Sequence, residues 1–361
     1  TVAGNVSIDG GTIKLDGNYP VGTNNVALGN QALDSLTTGS TNVAIGQGAL
    51  TANTEGIRNS AFNSALTSNT TGSHNTGLGF ITLASNTTGG CNIAVGSCSL
   101  ESNTTAGCNT AVGFKSLNAN TTATANTAVG ADSLKSNTTG CQNIAMGAFS
   151  LDANTTGNFN TALGKSSLGA NTTASTNVAV GYHSLLSNTT GTNNVAVGCG
   201  SLLNNVDDNR NTAIGHLSIC GNGTISGGCN TALGALSLRC LTSGSCNTAI
   251  GDSALCKNST ADDNTAVGMN ALCLNTTGCR NTAIGHNSMD ANTTGDFNTA
   301  LGRSSLSGNT TANQNTAVGF HSMLSNTTGA NNTAMGCGAL VLNTTGADNT
   351  AIGALSFVTY C

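Results

Sequence analysis

The stretch N-T-A-V-G-F-K-S-L-N-A-N-T-T-A-T-A, from Asn109 to Ala125, is one copy of a repeat that fills most of the chain. Its opening pentapeptide, N-T-A-V-G or a variant of it, begins at twenty asparagines: Asn25, Asn42, Asn59, Asn75, Asn92, Asn109, Asn126, Asn143, Asn160, Asn177, Asn194, Asn211, Asn230, Asn247, Asn264, Asn281, Asn298, Asn315, Asn332 and Asn349. The spacing is 17 residues, except for a 16-residue repeat from Asn59 and a 19-residue repeat from Asn211. A short, fixed period of this kind is the sequence signature of a solenoid.

Repeat positions are numbered here from 1 at each of these asparagines, and positions 2 and 4 predict a β-strand. Position 2 is Thr, Val or Ile in every copy except Ser60, and position 4 is always a large apolar residue. Side chains alternate between the faces of a strand, so we expect positions 2 and 4 to face the core, against the Leu of position 9. Asn, Ala and Gly at positions 1, 3 and 5 then form the opposite face. A second strand is expected over positions 7 to 10, and N-T-T-G has the composition of a turn.

These elements predict an all-β fold, a parallel β-solenoid or β-roll of about twenty 17-residue coils. One coil buries too few large side chains to be stable alone, so stability must come from stacking, with a hydrogen-bonded ladder of position 1 asparagines. Twenty coils would form a rod of about 95 Å. The repeat domain is expected over residues 25–361. Residues 1–24 lie outside the repeat and are expected to form two short strands that act as a cap or a subunit connector.

Composition argues against several functional classes. The 361 residues include only 10 Lys and Arg and 15 Asp and Glu, and the net charge is −5. No basic cluster would attract nucleic acid or an anionic lipid surface, and no apolar run is long enough to span a membrane as a helix. The five histidines have no carboxylate or Ser in a fixed relation to them across the repeats. We therefore expect no enzymatic activity, no cofactor, no metal, no nucleic-acid partner and no membrane insertion.

The fourteen cysteines favour an oxidising compartment. Four pairs occupy the same or a neighbouring position in adjacent repeats, where stacked residues would lie about 4.8 Å apart, close enough for a disulfide. The predicted pairs are Cys91 with Cys108, Cys229 with Cys246, Cys256 with Cys273, and Cys220 with Cys240. The others are expected to be free or to pair between subunits: Cys98, Cys141, Cys199, Cys279, Cys337 and Cys361.

The N-T-T-G segments repeat an N-glycosylation sequon. Because a turn is normally exposed, these asparagines would form a line of glycosylation sites along one edge of the rod. The candidates lie at position 12, except for the first, which lies at position 11 of the 16-residue repeat: Asn69, Asn86, Asn103, Asn120, Asn137, Asn154, Asn171, Asn188, Asn275, Asn292, Asn309, Asn326 and Asn343. The alternative is that N-T-T-G is turn chemistry alone. Under either interpretation we expect an extracellular protein, secreted or on a cell or virion surface.

The repeat N-x-A-x-G followed by a small residue and Leu resembles the head repeats of trimeric autotransporter adhesins. It is even more similar to the N-T-A-x-G-x-x-A-L-x-x-N-T-T-G repeats of phage tail-fibre and related surface-fibre proteins. The resemblance covers roughly residues 25–361. It implies a β-roll and a homotrimeric fibre or adhesin that binds a receptor or cell-surface glycans.

Three functions remain open. The first is a structural subunit of an extracellular filament, a homopolymer joined head to tail through Val6, Ile8, Ile13, Leu15, Leu355, Phe357 and Val358. The second is the receptor- or glycan-binding fibre or adhesin. The third is ice binding through ladders of Thr, which is disfavoured if position 2 faces the core and the adjacent Thr residues of positions 13 and 14 point to opposite sides.

Overall fold

The computed structural model describes residues 23–221 and 223–357 and divides the chain into two compact units, Thr1–Phe159 and Asn160–Cys361. Each unit is a parallel β-solenoid in which one repeat forms one coil. Each coil contributes one three-residue strand, made by positions 2 to 4. No helix occurs within the described ranges. The predicted all-β solenoid is therefore confirmed, whereas the predicted domain boundary near residue 24 stays a prediction.

The first unit contains strands β1 to β8: Val26–Leu28, Val43–Ile45, Ser60–Phe62, Thr76–Leu78, Ile93–Val95, Thr110–Val112, Thr127–Val129 and Ile144–Met146. The second contains β9 to β20: Thr161–Leu163, Val178–Val180, Val195–Val197, Thr212–Ile214, Thr231–Leu233, Thr248–Ile250, Thr265–Val267, Thr282–Ile284, Thr299–Leu301, Thr316–Val318, Thr333–Met335 and Thr350–Ile352. Within each unit, successive strands pair in parallel with equal repeat positions opposite one another, as in Val178 opposite Val195. This register stacks like residues on like residues.

The predicted second strand over positions 7 to 10 is wrong. Residues at positions 7 and 9 have positive φ angles, for example 53° at Lys115 and 49° at Leu117, and strands do not contain such angles. The backbone bonds in this segment point alternately to the two neighbouring coils. The N–H of Lys115 donates to the carbonyl of Ser97 in the preceding coil at 3.1 Å, and the N–H of Leu117 donates to that of Ser133 in the next at 3.0 Å. Stacking therefore satisfies a backbone that is unfavourable in isolation.

Glycine at position 5 is required by both its backbone angle and the space around it. Gly181 has a φ of 129°, and a Cβ atom built on it would lie 2.7 Å from the carbonyl oxygen of Gly198 in the next coil. Asn63 replaces this glycine in the 16-residue coil, with a φ of 57°. The one-residue deletion of that coil is accommodated next to Asn63. Beyond that point the coil is regular again, since Leu66 is buried like the leucines of position 9 and donates its N–H to the carbonyl of Thr82 in the next coil at 2.9 Å.

The predicted orientation of the strand is also wrong. Ala at position 3 is fully buried in nearly every coil, whereas the side chains of positions 2 and 4 are half-buried or exposed throughout both units. The core is formed by Ala of position 3, Leu or Met of position 9, Ser or Ala of position 8 and two rows of Asn. The predicted core position 9 is confirmed, with Leu168 and Leu185 fully buried. Position 4 belongs to the surface.

Candidate functional site

The outward side of the strands forms a regularly patterned surface on each unit. We call it the apolar face and define it by positions 2 and 4 of the described strands. Its position 4 row carries only large apolar residues, of which Leu233 and Leu301 are 45% and 44% exposed. Positions 2 and 4 carry no charged residue in any repeat. A contiguous apolar surface of this kind marks an interaction site on soluble proteins.

Position 2 adds a second row to the apolar face. In the second unit nine consecutive strands, β12 to β20, carry Thr at position 2, and each Thr lies opposite the next in the strand register. The nine residues are Thr212, Thr231, Thr248, Thr265, Thr282, Thr299, Thr316, Thr333 and Thr350. Their hydroxyl-bearing side chains are half-buried or exposed. A regular grid of Thr and apolar side chains therefore lies on the outside. On each strand, the Thr of position 2 and the apolar residue of position 4 are about 6.6 Å apart.

Two rows of asparagine lie inside each unit. At position 1 the predicted ladder is confirmed: the N–H of Asn194 donates to Oδ1 of Asn177 at 2.9 Å, and the pattern recurs from coil to coil. At position 12, Nδ2 of Asn188 donates to Oδ1 of Asn171 at 3.0 Å. This second ladder was not predicted, although Asn at position 12 is nearly as regular as Asn at position 1. In three described coils an apolar residue replaces it: Leu36, which is 7% exposed, and Ile225 and Leu241, which are fully buried.

The thirteen predicted glycosylation sites all belong to this second ladder. All lie in the core, twelve fully buried and Asn343 3% exposed, and their side-chain nitrogen atoms donate to a carbonyl three residues later. The expectation that these side chains are exposed on a turn is wrong. An N-glycan needs the same nitrogen atom free and in solvent, so the folded coils do not accommodate glycans at these sites. The interpretation of N-T-T-G as structural chemistry explains the pattern.

The eight cysteines of the four predicted pairs are all free thiols in the structure. The stacking of their coils agrees with the predicted proximity. Cys108 donates its N–H to Gly90 and Cys91 donates to Ser73, so the two occupy equal places in adjacent coils. Disulfide formation stays a prediction. Among the unpaired cysteines, Cys199 and Cys337 are exposed.

Cys256 and Cys273 interact through their side chains. The hydrogen bond with the Cys273 thiol lowers the pKa of Cys256 to about 6, and nearby Lys257 and Arg239 act in the same direction. The same hydrogen bond raises the pKa of Cys273. Burial opposes ionisation at both thiols. Within the described residues, no cluster of three or more His, Cys, Asp or Glu could hold a metal ion.

Aromatic side chains at position 6 are exposed beside the apolar face. The ring of Tyr182 stacks on His183 and the ring of Phe320 stacks on His321, each with centroids 3.7 Å apart. The guanidinium of Arg303 lies 5.9 Å from the Phe320 ring centroid. These are surface platforms of a type that could contact a sugar ring.

The predicted junction residues are only partly described. Leu355 and Phe357 lie in the last described coil and are 65% and 62% exposed. The other five lie outside the described residues: Val6, Ile8, Ile13, Leu15 and Val358. The head-to-tail contact therefore stays a prediction.

The sequence matches no protein-family model and no curated protein. Among the described residues, no helix is both long enough and apolar enough to span a bilayer.

Proposed function

We propose that this chain is a structural subunit of an extracellular fibre and that copies of it associate through the apolar face. The observation that carries the proposal is the exposed row of large apolar side chains at position 4, uninterrupted by charge from β9 to β20. Burying such a row against a partner contributes roughly 25 cal/mol per Å² of apolar surface. The resemblance to surface-fibre repeats supports the extracellular setting.

A second copy is the partner that fits this face best. The position 4 side chains recur once per coil, about 4.8 Å apart, so a complementary surface needs the same period over many residues. Another copy of the same solenoid has that period because its coils are stacked at the same spacing. Side-by-side association could form the homotrimeric adhesin or fibre that the repeat resembles. End-to-end growth through Leu355 and Phe357 is a compatible proposal for a homopolymer.

The test is the association state of the purified chain by sedimentation and light scattering. Replacing Ile250 and Leu301 by Lys should shift the population to monomers, because each charge would have to be desolvated in the interface. The matched control replaces Thr277 and Thr328 by Lys, exposed residues at position 14 away from the apolar face. A monomeric wild-type chain, or equal dissociation of the control, would contradict association through this face.

Ice binding is a second candidate because position 2 faces outward, which removes the argument that the Thr residues of position 2 point into the core. The nine-residue Thr row and the neighbouring apolar row form a regular, uncharged grid on stacked parallel strands. Thermal hysteresis of the wild-type chain that is lost in Thr282→Lys and kept in Thr277→Lys would favour ice as the ligand. Absence of hysteresis in a monomeric wild-type chain would exclude this function.

Glycan binding is the remaining proposal for the fibre. Its support is the exposed stacked pairs Tyr182 with His183 and Phe320 with His321. Aromatic rings offer a flat apolar surface to the C–H groups of sugars. Binding to a glycan array that Phe320→Ala weakens would support it.

A further inference from the structure

Four cysteines lie in four successive coils along one edge of the second unit. Cys220, Cys256 and Cys273 occupy position 10, and Cys240 occupies position 11. The N–H of Cys240 donates to the carbonyl of Cys256 at 3.0 Å, so these two residues are neighbours in adjacent coils. Within this row, Cys256 and Cys273 share one position in adjacent coils.

The backbone holds these two residues side by side. The N–H of Leu255 donates to the carbonyl of Ala271 at 3.0 Å, and the N–H of Lys257 donates to the carbonyl of Cys273 at 3.0 Å. These bonds flank the pair on both sides, so the coils cannot slide past each other there. The two thiols are also close enough for each to shift the pKa of the other. Stacked residues about 4.8 Å apart lie within the Cα separation that a disulfide needs.

We propose that Cys256 and Cys273 form a site of reversible oxidation, at which a small hydroperoxide converts the stacked thiols into a disulfide between coils. Cys256 has only 9% of its surface exposed, which admits hydrogen peroxide more readily than a bulky disulfide reagent. No other described pair combines equal position, a flanking pair of backbone bonds and a buried partner.

The chemistry uses both thiols. The thiolate of Cys256 attacks one oxygen of hydrogen peroxide, the O–O bond breaks, hydroxide leaves, and Cys256 becomes a sulfenic acid. The sulfur of Cys273 then attacks the Cys256 sulfur, the S–O bond breaks, and the hydroxyl leaves as water with the proton of the Cys273 thiol. The two sulfur atoms lose two electrons, which reduce the peroxide. A thiol reductant reverses the reaction.

The charged and titratable groups around the pair favour this division of roles. The groups that shift the pKa of Cys256 are Cys273, Lys257, Arg239 and Asp252. Those that shift the pKa of Cys273 are Cys256, Asp290 and Lys257. The two cations and the donated hydrogen bond favour the Cys256 thiolate, whereas Asp252 opposes it. The interaction with Cys256, then burial, and to a smaller extent Asp290 raise the pKa of Cys273, so this thiol keeps the proton that later leaves with the departing water.

The experiment treats the full chain with hydrogen peroxide and maps disulfides by mass spectrometry of non-reduced peptides over a range of pH. The expected result is a Cys256 to Cys273 link whose rate of formation is half-maximal near pH 6, the value to which the pKa of Cys256 is lowered. In the urea-unfolded chain the same thiols should react with a midpoint near the ordinary cysteine value of about 8.5. In native buffer, the link should form several-fold faster than the one between the exposed pair Cys91 and Cys108.

Two variants keep the test decisive. Cys273→Ser should stop oxidation at Cys256 with one added oxygen atom, and Cys108→Ser is the matched control that leaves the link intact. Serine is accepted at position 10, where Ser307 occurs in another coil. Failure of the link to form, or the same pH midpoint in folded and unfolded chains, would overturn the proposal.

Discussion

The side-chain amides of Asn177 and Asn188 donate to the same acceptor, the carbonyl oxygen of Gly191, at 2.8 Å and 3.0 Å. Asn177 belongs to the position 1 ladder and Asn188 to the position 12 ladder. The shared carbonyl joins the two ladders across the coil, and each ladder joins coil to coil. Buried polar side chains are stable only when hydrogen-bonded in this way.

Removing one member of the position 12 ladder should therefore weaken the fold. In Asn188→Ala, Asn171 and Asn205 each lose the side-chain hydrogen bond that they make with Asn188, at 3.0 Å and 2.9 Å. We expect a loss of about 1–3 kcal/mol in the free energy of unfolding, measured by urea titration. Thr190→Ala, at an exposed side chain of the same turn, is the control and should change stability little. Equal midpoints for the two variants would show that the ladder contributes nothing.

Charge at position 9 and at position 4 should have different consequences. Leu168→Asp places a carboxylate in the core among apolar side chains, and we expect the surrounding coils to unfold. Val180→Asp places it on the half-buried outer face, where water solvates it, and we expect a folded chain with impaired association. Circular dichroism measures folding and light scattering measures association. Unfolding of the Val180 variant at low protein concentration would contradict the outward orientation of position 4.

Two glycines with nearly equal φ angles separate steric contact from backbone strain. Gly181 and Gly223 have φ angles of 129° and 130°. A Cβ atom on Gly181 would lie 2.7 Å from the carbonyl oxygen of Gly198, whereas one on Gly223 would meet no atom of the described chain within 4 Å. Gly181→Ala should therefore lower the thermal unfolding midpoint more than Gly223→Ala. Similar losses would mean that strain, and not the stacking distance, selects glycine at position 5.

Asp208 should make stability depend on pH. Burial, and then the neighbouring Asp207, raise the pKa of Asp208 in the folded state, and its Oδ2 has no hydrogen-bond partner in the described chain. The folded protein therefore binds this proton more tightly than the unfolded chain, so the charged carboxylate destabilises the fold above its folded pKa. This penalty disappears as pH falls below about 4, the unfolded value.

Asp208→Ala, a residue type found at this position in Ala106 and Ala123, should consequently be more stable than the wild type at pH 7. The advantage should vanish at pH 3, where Asp208 is protonated in both states. Urea titrations at the two pH values measure it. An advantage that grows on acidification would contradict the direction of the pKa shift.

Much of the solenoid follows from the sequence alone. The repeat length determines the coil. The apolar residue at position 4, preceded at position 2 by a β-branched residue in every copy but Ser60, locates the strand of each coil. The register follows because identical positions pair best with themselves, and Asn at position 1 implies a ladder. The stacking of Cys256 near Cys273 follows from their equal positions in adjacent repeats.

Only the tertiary structure decided which side of the strand is inside. An alternating pattern puts Thr282 and Ile284 on one face, but it does not say whether that face meets the core. The narrow coil accepts Ala283 and two rows of Asn because stacked copies and a shared carbonyl satisfy every amide, a compensation that one repeat viewed alone does not reveal. The positive φ angles at positions 7 and 9 were equally hidden, since hydrogen bonds to coils above and below, and not the local residues, hold them.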